Sequence, residues 1–420
     1  MLSAPKSVRL HIGLFGRTNV GKSSFLNMIV GQDVAITSPQ AGTTTDVVEK
    51  PMELLPLGPV LFLDTAGLDD ASALSAERLR KTRRVFEQAD IVALVTEPEQ
   101  WAAYEEQICA MAAERKQPLA IIVNKCDVRR ASEDFLQRVR QKSAAVVCCS
   151  SRSIDGPDAE RAREELKRLL LWICPEDFLR APPLLGDIIP AGGMAVMIVP
   201  IDLQAPKGRL ILPQVQAIRD ALDHDAFVCV VKEREYAALL QRLALPPDLV
   251  VCDSQVMLKM IADTPPAVAC TTFSILLARQ RGDLRVLAAG AAAIDGLRSG
   301  DRILIAESCS HHALEDDIGR VKIPRWMRQY AGVDLQVDVC SGKDFPADLS
   351  RYSLIVQCGG CMLNRREMLY RIQQAQQAAV PITNYGVCIA AVQGAMGRVL
   401  GPFPAALAEY EHVRRGQKGT

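Results

Sequence analysis

The chain has 420 residues, with 49 Lys and Arg set against 49 Asp and Glu, so it has no net electrostatic pull toward nucleic acid or an anionic membrane. Its longest apolar runs are strand-length, which excludes a membrane span, and residues 1–9 lack the apolar core of a signal peptide. The expectation is a cytoplasmic protein of about three domains, whose 13 cysteines serve as small buried residues or metal ligands rather than disulfides.

From residue 8 to about residue 175, short apolar strands alternate with helical patterns. Residues 10–15, 60–64, 91–96, 120–124 and 145–150 read as buried parallel strands. Polar signatures follow them, where an open α/β sheet places its ligand. Gly16-Arg17-Thr18-Asn19-Val20-Gly21-Lys22-Ser23, with Ser24 after it, has the strand–loop–helix form of a phosphate loop. Its glycines let backbone N–H groups converge on phosphate oxygens, Lys22 offsets the β and γ charges, and Ser23 can ligate Mg2+. The polar run Gly42-Thr43-Thr44-Thr45-Asp46 suits a switch in which Thr44 senses the γ-phosphate and the metal. In Asp64-Thr65-Ala66-Gly67, Asp64 would hold Mg2+ through water and Gly67 would offer its N–H to the γ-phosphate.

Asn124-Lys125-Cys126-Asp127 names the base. The Asp127 carboxylate can accept two hydrogen bonds from guanine, and adenine lacks that donor pair. Ser150-Ser151 then supports the base from the other side. Four signatures in this order predict a domain binding GTP and GDP, with Lys22, Thr44, Asp64 and Gly67 as its catalytic set. Leu68 stands where many GTPases place the glutamine that orients water. The segment resembles the potassium-activated branch of GTPases that includes the tRNA-modifying MnmE. That resemblance implies that Asn19 holds K+ beside the phosphates and that turnover rises in K+.

Prolines and glycines after the last helix of this segment mark a linker near residues 174–190. Beyond it, residues 194–200 read as a strand, 212–223 as an amphipathic helix, 227–231 as a strand, 235–243 as a helix and 249–252 as a strand. This unit shows no catalytic constellation, which leaves self-association or spacing as its role. His224 reads as a solvated helix end and His11, inside the first strand, as a core residue.

In the last third, residues 303–306 form a buried strand leading to Cys309, and residues 354–356 form another leading to Cys358-Gly359-Gly360-Cys361. If these strands are parallel and adjacent, they deliver three thiols to one sheet edge. Three thiolates suit zinc or an iron–sulfur cluster. Cys309, His311, Cys358 and Cys361 make a closed zinc set, whereas a cluster on three cysteines leaves one iron for a weaker ligand. A dithiol oxidoreductase using Cys358 and Cys361 is a further alternative.

The pattern Cys309-x-His311, 46 intervening residues and Cys358-x-x-Cys361 resembles the iron–iron hydrogenase maturation GTPases, HydF. Residues 200–209, 316–325, 358–367 and 381–386 carry the same resemblance, which covers nearly the whole chain. It implies an α/β chain of three domains: a P-loop GTP-binding domain at 1–176, then two smaller domains with parallel sheets, for dimerisation at 184–268 and for a cluster at 269–410. It further implies a homodimer holding a [4Fe–4S] cluster on Cys309, Cys358 and Cys361. Such a protein takes up a transient di-iron precursor made with two radical-SAM maturases and delivers it to apo-hydrogenase, with no nucleic-acid or membrane partner. Some members place a histidine directly before Cys-x-x-Cys, where this chain has Gln357, so the fourth position falls to His311, Glu315 or Asp316, to a water, or to no ligand at all. The alternative is a potassium-dependent GTPase of RNA or ribosome maturation with a structural zinc site.

Overall fold

The computed structural model describes residues 5–30, 48–64, 76–152, 156–179, 182–200, 210–308, 317–342, 345–360 and 363–418. They form two compact units, Met1–Ala181 and Pro182–Thr420, divided inside the expected linker.

The first unit is built on β1 (Leu10–Phe15), β2 (Val48–Leu54), β3 (Gly58–Asp64), β4 (Ile91–Thr96), β5 (Leu119–Val123) and β6 (Ala145–Cys148). They lie in the order β2-β3-β1-β4-β5-β6, all parallel except β2, which runs antiparallel to β3. Every residue of β1, β4 and β5 is buried, because helices cover both faces of the sheet. Side-chain alternation divides the core in two. Leu10, Ile12 and Leu14 pack with Phe25, Leu26 and Leu166, while Phe15, Leu61 and Leu63 pack with Phe86, Ile108 and Phe135. His11 sits in this core at 1% exposure, and burial pushes its imidazole down to about 4, so it is neutral there.

Two features differ from the sequence expectation. The edge strand β2, Val-Glu-Lys-Pro-Met-Glu-Leu, has charged and proline positions that mask its strand character, and an edge is where a proline fits a sheet. Cys148 is exposed rather than buried, because β6 is the outermost strand.

The second unit carries two four-stranded parallel sheets. The first contains β7 (Met194–Ile198), β8 (Phe227–Val231), β9 (Leu249–Cys252) and β10 (Ala269–Thr272), in the order β10-β9-β7-β8. The second contains β11 (Arg302–Ala306), β12 (Gln336–Cys340), β13 (Leu354–Gln357) and β14 (Ile382–Asn384), in the order β12-β11-β13-β14. One continuous apolar cluster runs through both, from Val196 and Val250 through Phe273 and Leu276 to Ile305 and Val356. Among the described residues no helix is long and apolar enough to cross a membrane.

Strand order fixes where loops diverge. The chain passes from β1 to β3 on one side and returns to β4 on the other; likewise it leaves β11 for β12 and returns across it to β13. Each reversal opens a crevice at the carboxyl ends of the two strands it separates.

Helix Leu284–Ala292, capped by Asp283, packs on β14 so closely that a Cβ on Gly290 would lie 2.0 Å from the Ile382 carbonyl oxygen. Helix propensity alone predicts that Gly290→Ala adds about 1 kcal/mol of stability. Overpacking reverses the sign, and a loss of about 1–3 kcal/mol is expected. An unchanged or raised midpoint in chemical unfolding would contradict this packing.

Candidate nucleotide and metal sites

The β1–β4 crevice receives the loop after β1. Gly16 and Gly21 adopt φ of +153° and +89°, and Asn19 adopts +64°, so the backbone folds over the start of helix Lys22–Val30. The buried Lys22 ammonium donates to the carbonyls of Gly16 and Arg17, the latter at 2.9 Å. Thr18, Asn19, Ser23 and Ser24 are exposed and Val20 is buried beneath them. Asp64 ends β3 at 2% exposure, opposite Leu14 in register, and its carboxylate lies 3.9 Å from Lys50 Nζ. A lysine, a hydroxyl and a carboxylate at one strand edge can together handle a phosphate-bound divalent cation. Thr44 and Gly67 lie outside the described residues.

The loops after β5 and β6 complete the pocket. Asn124, fully buried, donates through Nδ2 to the Val20 carbonyl at 2.8 Å and accepts from the Ser151 amide at 3.0 Å. It therefore ties the phosphate loop to the Ser150-Ser151 loop. Lys125, at φ +62°, donates to the Asn19 carbonyl and to Glu97 at 2.6 Å. The exposed Asp127 is held below the usual carboxylate range, first by a hydrogen bond from Ser150 and also by the Arg152 charge. An ionised carboxylate held there can accept guanine's paired donors.

Three supports went unseen in the sequence. Glu97 anchors Lys125, Tyr104 Oη accepts from the Gly16 amide at 3.3 Å, and the fully buried Glu105 pairs with Arg17. All follow β4, and the available signal was positional, since β4 lies between β1 and β5.

At the second crevice, β11 and β13 are adjacent and parallel, with Ala306 opposite Gln357. Cys358 donates its amide to the Ala306 carbonyl at 2.9 Å. Its Sγ accepts from the Ser308 amide at 3.0 Å and lies 2.7 Å from the Ser308 hydroxyl. An amide and a hydroxyl at this sulfur are the kind of outer partners that orient a metal-ligating cysteine. Gly360, at φ +68°, has no room for a side chain: a Cβ would meet Met368 Sδ at 2.6 Å. Cys309, His311, Glu315, Asp316 and Cys361 lie outside the described residues.

Cations flank this crevice, and Arg328 and Arg365 hold backbone carbonyls of Leu335 and Gly282. Arg320 instead grips the buried Glu307, with contacts of 2.6–3.1 Å, beside Ser341. Arg281, 4% exposed, donates to the Gly360 carbonyl at 2.8 Å and to Gln216 at 3.0 Å. It links helix Leu212–Asp223 to the Cys358 loop. Its separation from Gly360 of 79 residues hid it from any local motif.

Family models decide the affiliation. The Hydrogen maturase F dimerization domain matches residues 184–282, and the Hydrogen maturase F tetramerization domain matches residues 285–402. The chain belongs to the hydrogen maturase F family. Residues 11–125 match the 50S ribosome-binding GTPase model, and the chain is a GTPase that binds GTP and GDP with Mg2+. Oligomerisation domains of the family therefore follow the GTPase fold, and the third segment matches a tetramerisation domain that the sequence reading had not foreseen.

Curated relatives match the nucleotide half. A Danio rerio protein, "5-taurinomethyluridine-[tRNA] synthase subunit GTPB3, mitochondrial", is 32% identical over 42% of this chain and 37% of its own length. The tRNA modification GTPase MnmE of Synechococcus sp. is 36% identical over 37% of this chain and 33% of its own length. This chain thus spans only about a third of those relatives. Among solved structures, a point variant of Aquifex aeolicus Era bound to GDP.AlF4- aligns at TM-score 0.31 and 19% identity, covering 56% of this chain and 98% of that one.

Gly21 tests the family's nucleotide pocket in this chain. A Cβ there would lie 2.4 Å from Asn124 Nδ2, at a φ that side chains rarely adopt. Gly21→Ala is expected to weaken binding of a fluorescent GTP analogue by about tenfold, or 1.4 kcal/mol, while circular dichroism stays unchanged. Equal affinity would show that the Asn124 bracket does not shape the pocket.

Proposed function

We propose that this chain is a GTP-controlled scaffold and carrier for hydrogenase assembly. It holds a [4Fe–4S] cluster on Cys309, Cys358 and Cys361, takes up a di-iron precursor made with two radical-SAM maturases, and delivers it to apo iron–iron hydrogenase. The working form is a homodimer in the cytoplasm, organised as a nucleotide domain at 1–176, a dimerisation domain at 184–268 and a cluster domain at 269–410. The observation that carries the reading is the parallel pairing of β11 with β13, which starts the Cys309 and Cys358-x-x-Cys361 segments at neighbouring strand ends of one crevice. The donor chemistry at Cys358 fits an anionic cluster, since an amide and a hydroxyl already face its sulfur. When bound, the cluster supplies an iron site open to exchangeable ligands, with His311 or Asp316 as the protein donor beside it.

In the nucleotide domain, Gly16, Asn19, Val20, Gly21, Lys22, Ser23 and Ser24 hold the phosphates, and Asn124, Lys125, Asp127, Ser150 and Ser151 hold guanine. Lys22, Thr44, Asp64 and Gly67 act in hydrolysis, with Ser23 and Thr44 on Mg2+ and Asn19 on K+. GTP turnover tunes partner exchange rather than driving the metal chemistry.

Two measurements test this. After anaerobic reconstitution with iron and sulfide, Cys309→Ser should lose the broad visible absorption and the reducible EPR signal, together with activation of apo-hydrogenase, and keep its GTPase rate. A colourless wild-type protein that retains zinc would sink the cluster assignment. Separately, the GTPase rate should be higher in K+ than in Na+ buffer, and equal rates would remove K+ from Asn19.

A further inference from the structure

Three cysteines meet beside the base-reading loop, and the nucleotide chemistry uses none of them. Cys126 lies inside Asn124-Lys125-Cys126-Asp127, while Cys148 and Cys149 immediately precede Ser150-Ser151. The two loops are laced together: the Cys126 amide donates to the Cys149 carbonyl at 3.1 Å, and the Cys149 amide to the Val123 carbonyl at 2.9 Å. Cys148 pairs with Val123 at the end of β5. The Cys126 Sγ lies 3.3 Å from the carbonyl of that same Val123, so the two cysteines flank one residue at the end of β5. Their exposure separates them from the other cysteines of the unit, since Cys148 is exposed and Cys126 half-buried, whereas Cys109, Cys149 and Cys174 are buried.

We propose that Cys126 and Cys148 form a thiol modification site, which a low-molecular-weight disulfide oxidises to an intrachain disulfide that weakens guanine-nucleotide binding. Interaction with Cys148 holds the Cys126 thiol below its ordinary range while the Cys148 thiol is raised, so Cys126 serves as the nucleophile. Its thiolate attacks one sulfur of the incoming disulfide, forming a mixed disulfide and expelling a thiolate. Cys148, giving up its proton, then attacks the Cys126 sulfur and expels the second thiolate. The pair loses two electrons to the incoming disulfide, and its two protons pass to the two small thiols released.

Bonded sulfurs stand about 2.05 Å apart, so closing the bond draws Cys126 toward β6. That movement breaks the contact of its Sγ with the Val123 carbonyl at 3.3 Å and displaces Asp127, the next residue, from Ser150. The buried Cys149, whose thiol burial pushes up to about 12, stays a spectator against Asn124 Oδ1 at 3.6 Å.

The test treats the full-length chain anaerobically with glutathione disulfide and maps unreduced peptides by mass spectrometry, alongside dissociation of a fluorescent GDP analogue. The expected result is a cross-link between the peptides containing residues 126 and 148, with dissociation about tenfold faster and restored by dithiothreitol. Cys148→Ser should bind the analogue normally and show no acceleration in oxidant. The proposal fails if the two peptides stay unlinked, if the link forms without changing dissociation, or if Cys148→Ser accelerates as much as the parent chain.

Discussion

A parallel strand whose neighbours are reached by crossovers in opposite directions must open a gap at its carboxyl end, because the two departing loops go to opposite faces of the sheet. β1 and β11 are both such strands. The gap is the one place in a buried parallel sheet where backbone amides and polar side chains can face a ligand without leaving the framework of the sheet. The nucleotide chemistry and the proposed metal chemistry are both placed by this constraint: the phosphate loop leaves β1, and the segments bearing Cys309 and Cys358 leave β11 and β13. The apolar strand interiors set the position of each gap, and the sequence of each loop sets what it binds.

Within the nucleotide unit, the gap is kept in shape by one buried amide. Asn124 uses its nitrogen on the Val20 carbonyl and its oxygen on the Ser151 amide, so the ends of β1, β5 and β6 are held to one geometry. No water competes for a fully buried side chain, and each broken bond would strand a polar group in the interior. Lys125 repeats the linkage on the outside, through the Asn19 carbonyl and Glu97. The phosphate loop and the base-reading loop are therefore a single mechanical piece. A perturbation at Cys126 or Gly21 is felt by both halves of the nucleotide.

What could be read in advance follows from how local each signal is. The interiors of β1, β4, β9 and β13 announce themselves, since four to six successive residues are buried and apolar residues dominate. The adjacency of β11 and β13 was readable only as a condition, because nothing local states which strands become neighbours. Strand β2 was hidden by charge and Pro51, and the exposure of Cys148 by the edge position of β6, which only the assembled sheet reveals. Arg281 and Arg320 were missed for the same reason. Each reaches its partner from a helical segment that becomes a neighbour only when the fold closes, and Arg281 is a buried cation that composition cannot distinguish from a solvated one.

The same strand logic narrows the proposed cluster's fourth position. Successive residues at the end of β13 face opposite sides, so Gln357 and Cys358 cannot share a face. Gln357 is 1% exposed and donates its amide to Met368 Sδ at 2.7 Å, deep against helix Arg365–Gln377, while the Cys358 sulfur lies with Ser308. Glu307, at the entry to the other loop, is already committed to Arg320 and Ser341. On the proposed reading, the remaining donor comes from residues 309–316, where His311, Glu315 and Asp316 stand. The choice among them has an electrostatic consequence. A carboxylate adds a negative charge that a neutral imidazole does not, and so lowers the potential of the cluster. Arg281 provides fixed positive charge near the crevice whichever ligand is used, whereas the Arg320 charge is offset by Glu307. On that proposed reading, the loop after β11 would decide how readily an iron at this site exchanges its ligand.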